Sequence, residues 1–170
     1  MAKDARNIQL GVCDVTYKGV DLGHTIGGVT VTYTPTYHET KVDQYGESVA
    51  KLFLVGETLE VEFNLAEWTL ANWQNAIAMN TLQGDDSVSV GSIAGKNAST
   101  TAGLLVLHPI VNASTNRNDD VSLYKAVSTG ELKIEHKNDG EKVIPVKMQA
   151  IIDENRTDGN LLGFIGDSIS

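Results

Sequence analysis

The chain of 170 residues has few of the features that mark several large classes of protein. Its only cysteine is Cys13, so an intrachain disulfide is excluded, and a small apolar side chain in a strand is the simplest role for it. Its longest apolar run, in TAGLLVLHPIVNA, is interrupted by His108 and Pro109 and is far shorter than the ~20 residues that span a bilayer. The first ten residues, MAKDARNIQL, contain no apolar core segment. We therefore expect neither a signal peptide nor a membrane anchor.

Basic residues are also scarce. Thirteen Lys and Arg stand against 22 Asp and Glu, which gives a net charge of −9. No cluster of Lys and Arg occurs, so tight nucleic-acid binding is disfavoured. The charge predicts a chain that is soluble and repels polyanions.

Motifs that build catalytic, metal or nucleotide sites are missing as well. The four histidines have no metal-ligand spacing, and GSIAGKN at 91–97 departs from a phosphate loop in its glycine spacing and in Asn97 after the lysine. DENRTDG at 153–159 departs from a calcium loop, because its glycine comes one place late and the twelfth position is Phe164. We therefore expect no enzyme activity, no metal site and no cofactor.

Strand patterns dominate what the sequence does contain. The cleanest alternation lies in 57–65, where apolar residues occupy one side and polar residues the other. Strands are predicted at 7–17, 28–34, 49–55, 57–65, 103–111, 121–127, 130–137 and 141–152. One helix is predicted over 66–80, with Thr69 or Asn64 as alternative N-caps. This order predicts a single mainly β domain over 1–170, an antiparallel β-sandwich or barrel with one flanking α-helix.

Glycines crowd ahead of one of these strands, in GVDLGHTIGGVTVTYTP at 19–35. A phosphate loop would need its glycines between a strand and the N-terminus of a helix. Gly27 and Gly28 open a strand instead. We interpret them as a break in the backbone pattern and not as a ligand site.

The connection at 36–48, TYHETKVDQYGES, is longer than the about two to five residues of a tight hairpin. Its alternation offers no apolar face for burial. We therefore expect a loop that projects from the sandwich and turns near Gly46. Long loops in compact domains are usually functional or disordered, and both alternatives stay open.

An apolar cluster lies near the C-terminus, after the hydrophilic turn DENRTDGN. Left in water, such a cluster would promote aggregation. We therefore expect the C-terminal arm, 153–170, to dock as a strand or extended segment on its own sandwich or on a neighbouring copy. The docking residues are Leu161, Leu162, Phe164 and Ile165.

Three motifs occur in an order that resembles the tail tube proteins of long, non-contractile-tailed bacteriophages. They are the LGHTIGGV strand start (Leu22 to Val29), the DQYG loop (Asp43 to Gly46) and the GETLEVEFNLAE strand-to-helix join (Gly56 to Glu67). RTDGNLLGFIGD at 156–167 is similar to the ending of that family. The resemblance covers most of the chain and is weak between 81 and 130.

The resemblance implies a structural virion protein of the phage tail, assembled in the host cytoplasm. Similar proteins fold as a β-sandwich with a flanking helix and form hexameric rings that stack into a hollow tube. The implied partners are further copies of the chain and the tape-measure, tail terminator and distal tail proteins. DNA would pass through the lumen without specific binding, and no membrane is involved.

The resemblance also implies roles for particular residues. A strand face of hydroxyls and carboxylates would line the bore, since it offers DNA phosphates no binding sites. The candidates are Thr30, Thr32, Thr58, Glu60 and Glu62. Alternation defines two faces without saying which is the lumen, so a face that only solubilises the exterior stays open. The loop would contact the adjacent ring through Tyr37, His38, Glu39, Lys41, Asp43, Gln44, Tyr45 and Gly46.

A protein of another class is the alternative. A non-enzymatic carbohydrate- or protein-binding β-sandwich module would use the same strands. Surface aromatic residues clustered on one loop would favour it, but the five tyrosines are dispersed along the sequence: Tyr17, Tyr33, Tyr37, Tyr45 and Tyr124.

Overall fold

The computed structural model describes residues 11–77, 79, 82–83, 86–136, 140–157 and 159–167. In chain order the elements are β1 (Cys13–Tyr17), β2 (Val20–Asp21), β3 (Thr25–Lys41), β4 (Val49–Leu65), α1 (Leu70–Ala76), β5 (Leu82–Gln83), β6 (Ser87–Val88), β7 (Gly103–Pro109), β8 (Val121–Ser128), β9 (Ile144–Ala150) and β10 (Gly163–Ile165). Two short 3-10 turns lie at Asp43–Tyr45 and Ala98–Thr101. The prediction of a mainly β, antiparallel domain with one flanking helix is confirmed.

One antiparallel sheet contains most of the strands, in the order β2-β1-β7-β8-β9-β4-β3, with β10 also paired to β8. Strand β9 lies between β8 and β4 with offset ladders: residues 144–149 pair with β4, and residues 148–150 pair with β8. Buried side chains from both parts of the sheet form one core cluster. A single folded sheet thus supplies both layers of the predicted sandwich.

The core is built by alternation along the strands. In β9 every second residue is buried, from Ile144 to Ala150. The side chains with no solvent exposure are Val15, Val61, Leu65, Leu105, Leu123, Ala126, Ile144 and Met148. Burial of each of the larger ones stabilises the fold by about 1.5–3 kcal/mol. Helix α1 contributes Trp73 and Ala76 to the same cluster.

Helix α1 is shorter than the predicted 66–80. Its N-cap is Thr69, whose Oγ1 accepts a hydrogen bond from the backbone N of Asn72 at 3.2 Å. The alternative cap, Asn64, lies within β4. The helix ends at Ala76, since Ile77 adopts an extended conformation. Residues 78, 80 and 81 lie outside the described residues.

The predicted strand at 130–137 is wrong for its described part, 130–136, which forms no strand. The ladder between β8 and β9 continues only through Thr129 and Gly130, whose N–H groups both donate to the carbonyl of Lys147. An alternating apolar pattern does not form a strand unless a neighbouring strand edge is available for pairing. Residues 7–10 of the first predicted strand, and residue 137, lie outside the described part of the chain.

Gly27 and Gly28 lie in a β-bulge, with φ of 81° and 88°. The register of β3 against β4 shifts here, between Ile26 and Val29. Positive φ angles are readily adopted only by glycine, so the pair allows the bulge. The sequence interpretation of these glycines agrees with this geometry.

The first and third motifs of the resemblance contact each other. The backbone N–H of His24 donates to Glu67 Oε1 at 3.1 Å, and that of Ala66 donates to the His24 carbonyl at 2.8 Å. A Cβ on Gly23, whose φ is 81°, would overlap the Glu67 carboxylate. The LGHT and LAE segments therefore form one joint where β4 leads towards α1.

Candidate assembly surfaces

A two-stranded ribbon is one exposed feature of the described part of the chain. Strands β3 and β4 stay paired from Thr25 opposite Leu65 to Lys41 opposite Val49. Strand β9 covers β4 only at residues 60–65. Beyond that point, no third strand joins the pair in the described part of the chain. We call residues 34–58 the ribbon.

The predicted projecting loop at 36–48 is therefore wrong for residues 36–41, which are strand. Residues 49–56 of β4 supply their cross-strand partners, with a register shift between Thr36 and Tyr37. Only residues 42–48 connect the strands, and the turn contains the 3-10 segment Asp43–Tyr45 and then Gly46. All eight predicted stacking residues lie on the outer part of the ribbon or in its turn, and all are exposed.

The ribbon carries apolar side chains on both faces. Tyr37 lies opposite Leu54 on one face, and His38 lies opposite Phe53 on the other. Seven large apolar residues of the ribbon are each 46–68% exposed: Tyr37, Tyr45, Val49, Leu52, Phe53, Leu54 and Val55. Side chains of this size bury roughly 150–200 Å² each when enclosed, so together they expose on the order of 600 Å². Divided between two faces, this area lies within the about 300–600 Å² of the largest apolar patches on typical monomers.

Sequence reasoning did not assign the second strand of the ribbon to this surface. Leu52, Phe53, Leu54 and Val55 were expected to form an ordinary sheet strand. The sequence signal that identifies this surface is a run of four consecutive apolar residues. A strand with one solvent-facing side requires apolar residues only at alternate positions.

The five predicted lumen residues lie together on the outer, polar side of the sheet. Thr30 pairs with Glu62, Thr32 with Glu60, and Thr34 with Thr58. The residues between them, such as Val61 and Phe63, face the core. The register brings together the side chains that the alternation assigned to one face.

Strand β9 adds a cation to this face. Lys147 Nζ lies 2.9 Å from Glu60 Oε2 and 2.8 Å from Glu62 Oε1. Hydrogen bonds to Glu62 and then Glu60 raise the pKa of Lys147. The expectation of a face of hydroxyls and carboxylates is therefore incomplete, because two of the carboxylates share one ammonium group.

Strand β3 is the last strand of the sheet. Its outer edge has no strand partner among the described residues over its whole length, Thr25–Lys41. Pro35, in the middle of this edge, has no N–H to donate. A long free edge is available for pairing with another chain.

The C-terminal arm docks on its own sheet in its described part, residues 153–157 and 159–167. Strand β10 pairs with residues 121–123 of β8, and the Phe164 ring lies 5.4 Å from that of Tyr124. The Tyr124 N–H donates to the carbonyl of Leu162 at 3.1 Å. Lys125 forms an ion pair with Asp153 at 2.9 Å, which lowers the pKa of that carboxyl group. Residues 158 and 168–170 lie outside the described residues.

A groove of about 550 Å³ lies between the root of the ribbon and this arm. We call it the root groove. Its apolar walls are Val31, Tyr33 and Leu59 on the sheet side and Leu161, Phe164 and Ile165 on the arm side. Glu57 also lines the groove and accepts a hydrogen bond from the Tyr33 hydroxyl.

A polar pair of one half-buried and one buried side chain lies elsewhere, between β7 and the start of β8. His108 Nδ1 lies 2.6 Å from Asp120 Oδ1, and Asp120 is almost fully buried. The contact joins the two ends of the connection between β7 and β8. The Nε2 atom of His108 has no hydrogen-bond partner within the described part of the chain. In that part, no group of three or more His, Cys, Asp or Glu side chains is placed to hold a metal ion.

A scan against models of protein families found no match, and a search of curated proteins found none either. In the described residues, no helix has the length and apolar character to cross a membrane.

Proposed function

We propose that the chain is a structural subunit of a phage tail tube. Its copies form hexameric rings, and the rings stack into a hollow conduit for DNA. The observation that carries the proposal is the ribbon, which holds apolar side chains away from the body of the subunit. The order of the three sequence motifs supports the same class of protein.

The ribbon suits assembly because a two-stranded hairpin needs contacts with another subunit to be stable. An isolated two-stranded hairpin is at best marginally stable in water. The roughly 600 Å² of apolar surface on its outer part approaches the ~800 Å² that each partner buries in a specific interface. Because both faces are apolar, a partner on one face would leave the other exposed. The ribbon therefore enters between neighbouring subunits of the next ring.

Ring closure uses the edges of the sheet. A free strand edge invites pairing, and pairing it against an identical neighbour removes the hazard of uncontrolled aggregation. With β3 paired in this way, the polar face continues from one subunit to the next. It then lines the bore with the hydroxyls of Thr30 and Thr32 and with the cluster of Glu60, Glu62 and Lys147.

The other proposed partners follow from the direction of such a stack, whose two ends differ. Head-to-tail contacts leave two unlike ends, each with an unmatched surface. A terminator at one end and a distal tail protein at the other would cover these surfaces, and a tape-measure protein would set the length. The site of action is the virion tail, after assembly in the host cytoplasm, and the chain has no catalytic role.

The proposal is tested by negative-stain electron microscopy of the purified chain over a range of concentrations. We expect hollow tubes, or rings whose class averages have sixfold symmetry, at high concentration. A chain that stays monomeric under all conditions, or that forms only a closed dimer, would contradict the proposal.

The bore assignment has its own test, in phage that carry the double substitution Glu60→Lys and Glu62→Lys. With Lys147, the charge of the cluster changes from −2 + 1 = −1 to +3. We expect intact tubes and slowed DNA ejection, because cations bind phosphates. Glu154→Lys, an exposed change in the C-terminal arm, is the matched control. Unchanged ejection with fully substituted tubes would show that this face lies outside the bore.

A binding module remains the second candidate, and one observation favours it. The ribbon gathers four aromatic residues, counting Tyr33 at its root with Tyr37, Tyr45 and Phe53. Tyr37 lies opposite Leu54, whereas Phe53 lies opposite His38 and the Tyr33 hydroxyl bonds to Glu57, so the ribbon also has polar groups of the kind that a sugar site needs. Such a module would bind carbohydrate or protein, and it would stay monomeric at every concentration.

A further inference from the structure

We propose that the root groove of one copy receives the turn at residues 91–97 of a second copy. We call this segment the Ile93 turn. The inference rests on the self-assembly in the proposed function, and it adds a contact at the body of the subunit.

The root groove suits an apolar side chain that is accompanied by a cation. Val31, Tyr33 and Ile165 on its walls are partly or largely exposed, with Ile165 at 80%. Glu57 is the one charged residue among the described residues that line the groove. It accepts a hydrogen bond from the Tyr33 hydroxyl, but no cation pairs with it in the described part of the chain. A cation beside the apolar occupant would keep this carboxylate from being buried without a counter-charge.

The Ile93 turn presents these two side chains together. Ile93 is 86% exposed, the largest exposed fraction of any large apolar residue that the structure describes. The backbone N–H of Lys96 donates to the Ile93 carbonyl at 3.4 Å, and Gly95 supplies the positive φ, 88°, that such a turn requires at its third position. Residues 87–95 contain no charge, and Lys96 is exposed and forms no ion pair with any described residue.

Charge distinguishes this turn from the exposed segments of the ribbon. The turn of the ribbon carries Asp43 and Glu47, which would repel Glu57. Lys51 and Leu52 are also a cation beside an apolar residue, but they are neighbours in a strand and point to opposite faces. In the Ile93 turn the charge has the sign opposite to that of the groove.

The two surfaces lie towards opposite ends of strand β8. Val121, at the start of β8, lines the root groove. Ala98, which directly follows the Ile93 turn, lines a different cavity with Val127 and Ser128 at the end of β8. The six residues from Val121 to Val127 span roughly 20 Å. No residue of the turn lines the groove of its own copy, so a second copy must supply it. Contact between two different surfaces of one chain is heterologous, and it propagates without closing on itself as a dimer.

Disulfide trapping tests the contact. The variant Ile93→Cys/Ile165→Cys places one thiol in the turn and one on an exposed wall of the groove. Mild oxidation at assembly concentration should give a ladder of covalent oligomers that a reducing agent collapses. A mixture of the two single variants should give covalent dimers and no higher species, because each chain then has one engineered thiol.

Controls separate the contact from random collisions. The wild-type chain retains only Cys13, and burial raises the pKa of that thiol, so it should not form a ladder. Ile93→Cys/Ile110→Cys should not form one either. Ile110 is exposed and lies near the same end of β8 as the groove, but it does not line the groove. Leu161→Cys, combined with Ile93→Cys, is a second groove variant that should reproduce the ladder.

Charge exchange tests the pairing of Lys96 with Glu57. Glu57→Gln or Lys96→Gln should raise the concentration needed for assembly by roughly two- to fivefold, the range for an exposed ion pair. Each single reversal, Glu57→Lys or Lys96→Glu, should raise it further. The variant with both reversals should assemble like the wild type. If it assembles no better than the single reversals, the two charges do not meet.

The possible outcomes are distinct. Tubes without a ladder from either groove variant would overturn the groove contact and leave the tube function standing, with the groove covered by another partner. A ladder without tubes would support the contact and overturn the tube function. A covalent dimer that does not extend would show reciprocal exchange, which contradicts the head-to-tail contact. Neither tubes nor covalent oligomers would overturn both proposals.

Discussion

Strand β4 passes through two different environments. In its inner part, Val61, Phe63 and Leu65 are buried, and the residues between them are exposed or half-buried. In its outer part, residues 49–57 are all exposed. Both parts pair with β3, but only the inner part also pairs with β9 and faces an opposing layer. Strand pairing alone therefore does not bury side chains, and an apolar strand that leaves the body needs a partner from elsewhere.

The largest expected effect compares two leucines of this strand. Leu65→Ala should lower the free energy of unfolding by about 2–5 kcal/mol, since Leu65 has no exposure and its loss leaves a cavity. Leu52→Ala, at a site 54% exposed, should change it by no more than about 0.5 kcal/mol. Urea denaturation at a concentration where the chain is monomeric measures both. Equal losses would mean that the ribbon folds back onto the body.

Two phenylalanines extend the comparison to the C-terminal arm. Phe164→Ala should lower the free energy of unfolding by about 1–2 kcal/mol, because its ring packs on Tyr124 and is partly buried. Phe53→Ala in the ribbon should leave monomer stability unchanged and raise the concentration needed for assembly. Calorimetry of the monomer and light scattering of the assembly separate the two effects. A Phe164→Ala monomer with the stability of the wild type would show that the contact between Phe164 and Tyr124 does not stabilise the docked arm.

The helix cap should have a smaller effect. Thr69→Ala removes the hydrogen bond to the N–H of Asn72 and should cost about 1 kcal/mol of the free energy of unfolding. Thr69→Ser keeps the hydroxyl and should restore most of it. Since α1 packs on the body, assembly of the folded chain should be unaffected. If Ser fails to rescue, the hydroxyl is not what stabilises the helix start.

The smallest expected effect is a dependence on alkaline pH. The pKa of Lys147 is raised above its ordinary value of 10.5, so its contribution to stability is present below that pH and is lost as the pH rises through the folded-state value. The wild type and Lys147→Gln should therefore differ in Tm near neutral pH. Their Tm values should converge once the pH exceeds the folded-state pKa of Lys147. Lys51→Gln, in the ribbon, should show no such convergence. A constant difference for Lys147→Gln would exclude the ion pairs as its cause.

Alternation along single strands made much of the body predictable. It identified the buried side of 57–65 and the strands that became β1, β7, β8 and β9. The apolar C-terminal cluster correctly indicated that the arm would need a docking surface, although the sequence did not distinguish its own sheet from a neighbour.

The missed features depend on which segments become neighbours. Residues 36–41 show no apolar face alone, and they form a strand because residues 49–56 pair with them. Residues 130–136 alternate equally well, but in the described part of the chain no strand pairs with them beyond the Gly130 hydrogen bond to Lys147. The position of Lys147 between two glutamates is fixed by the register of β9 against β4, which no local pattern reveals.

The most direct test of the account removes the outer ribbon and leaves the body intact. Replacing residues 38–53 with Asn-Gly joins Tyr37 to Leu54, which already lie opposite each other, through a tight turn that favours this dipeptide. Electron microscopy and sedimentation velocity of this variant beside the wild type, at equal concentration, give the result. We predict a monomer, or isolated rings, with the wild-type melting temperature and no tubes. Normal tubes from the shortened chain would contradict the central role of the ribbon in assembly.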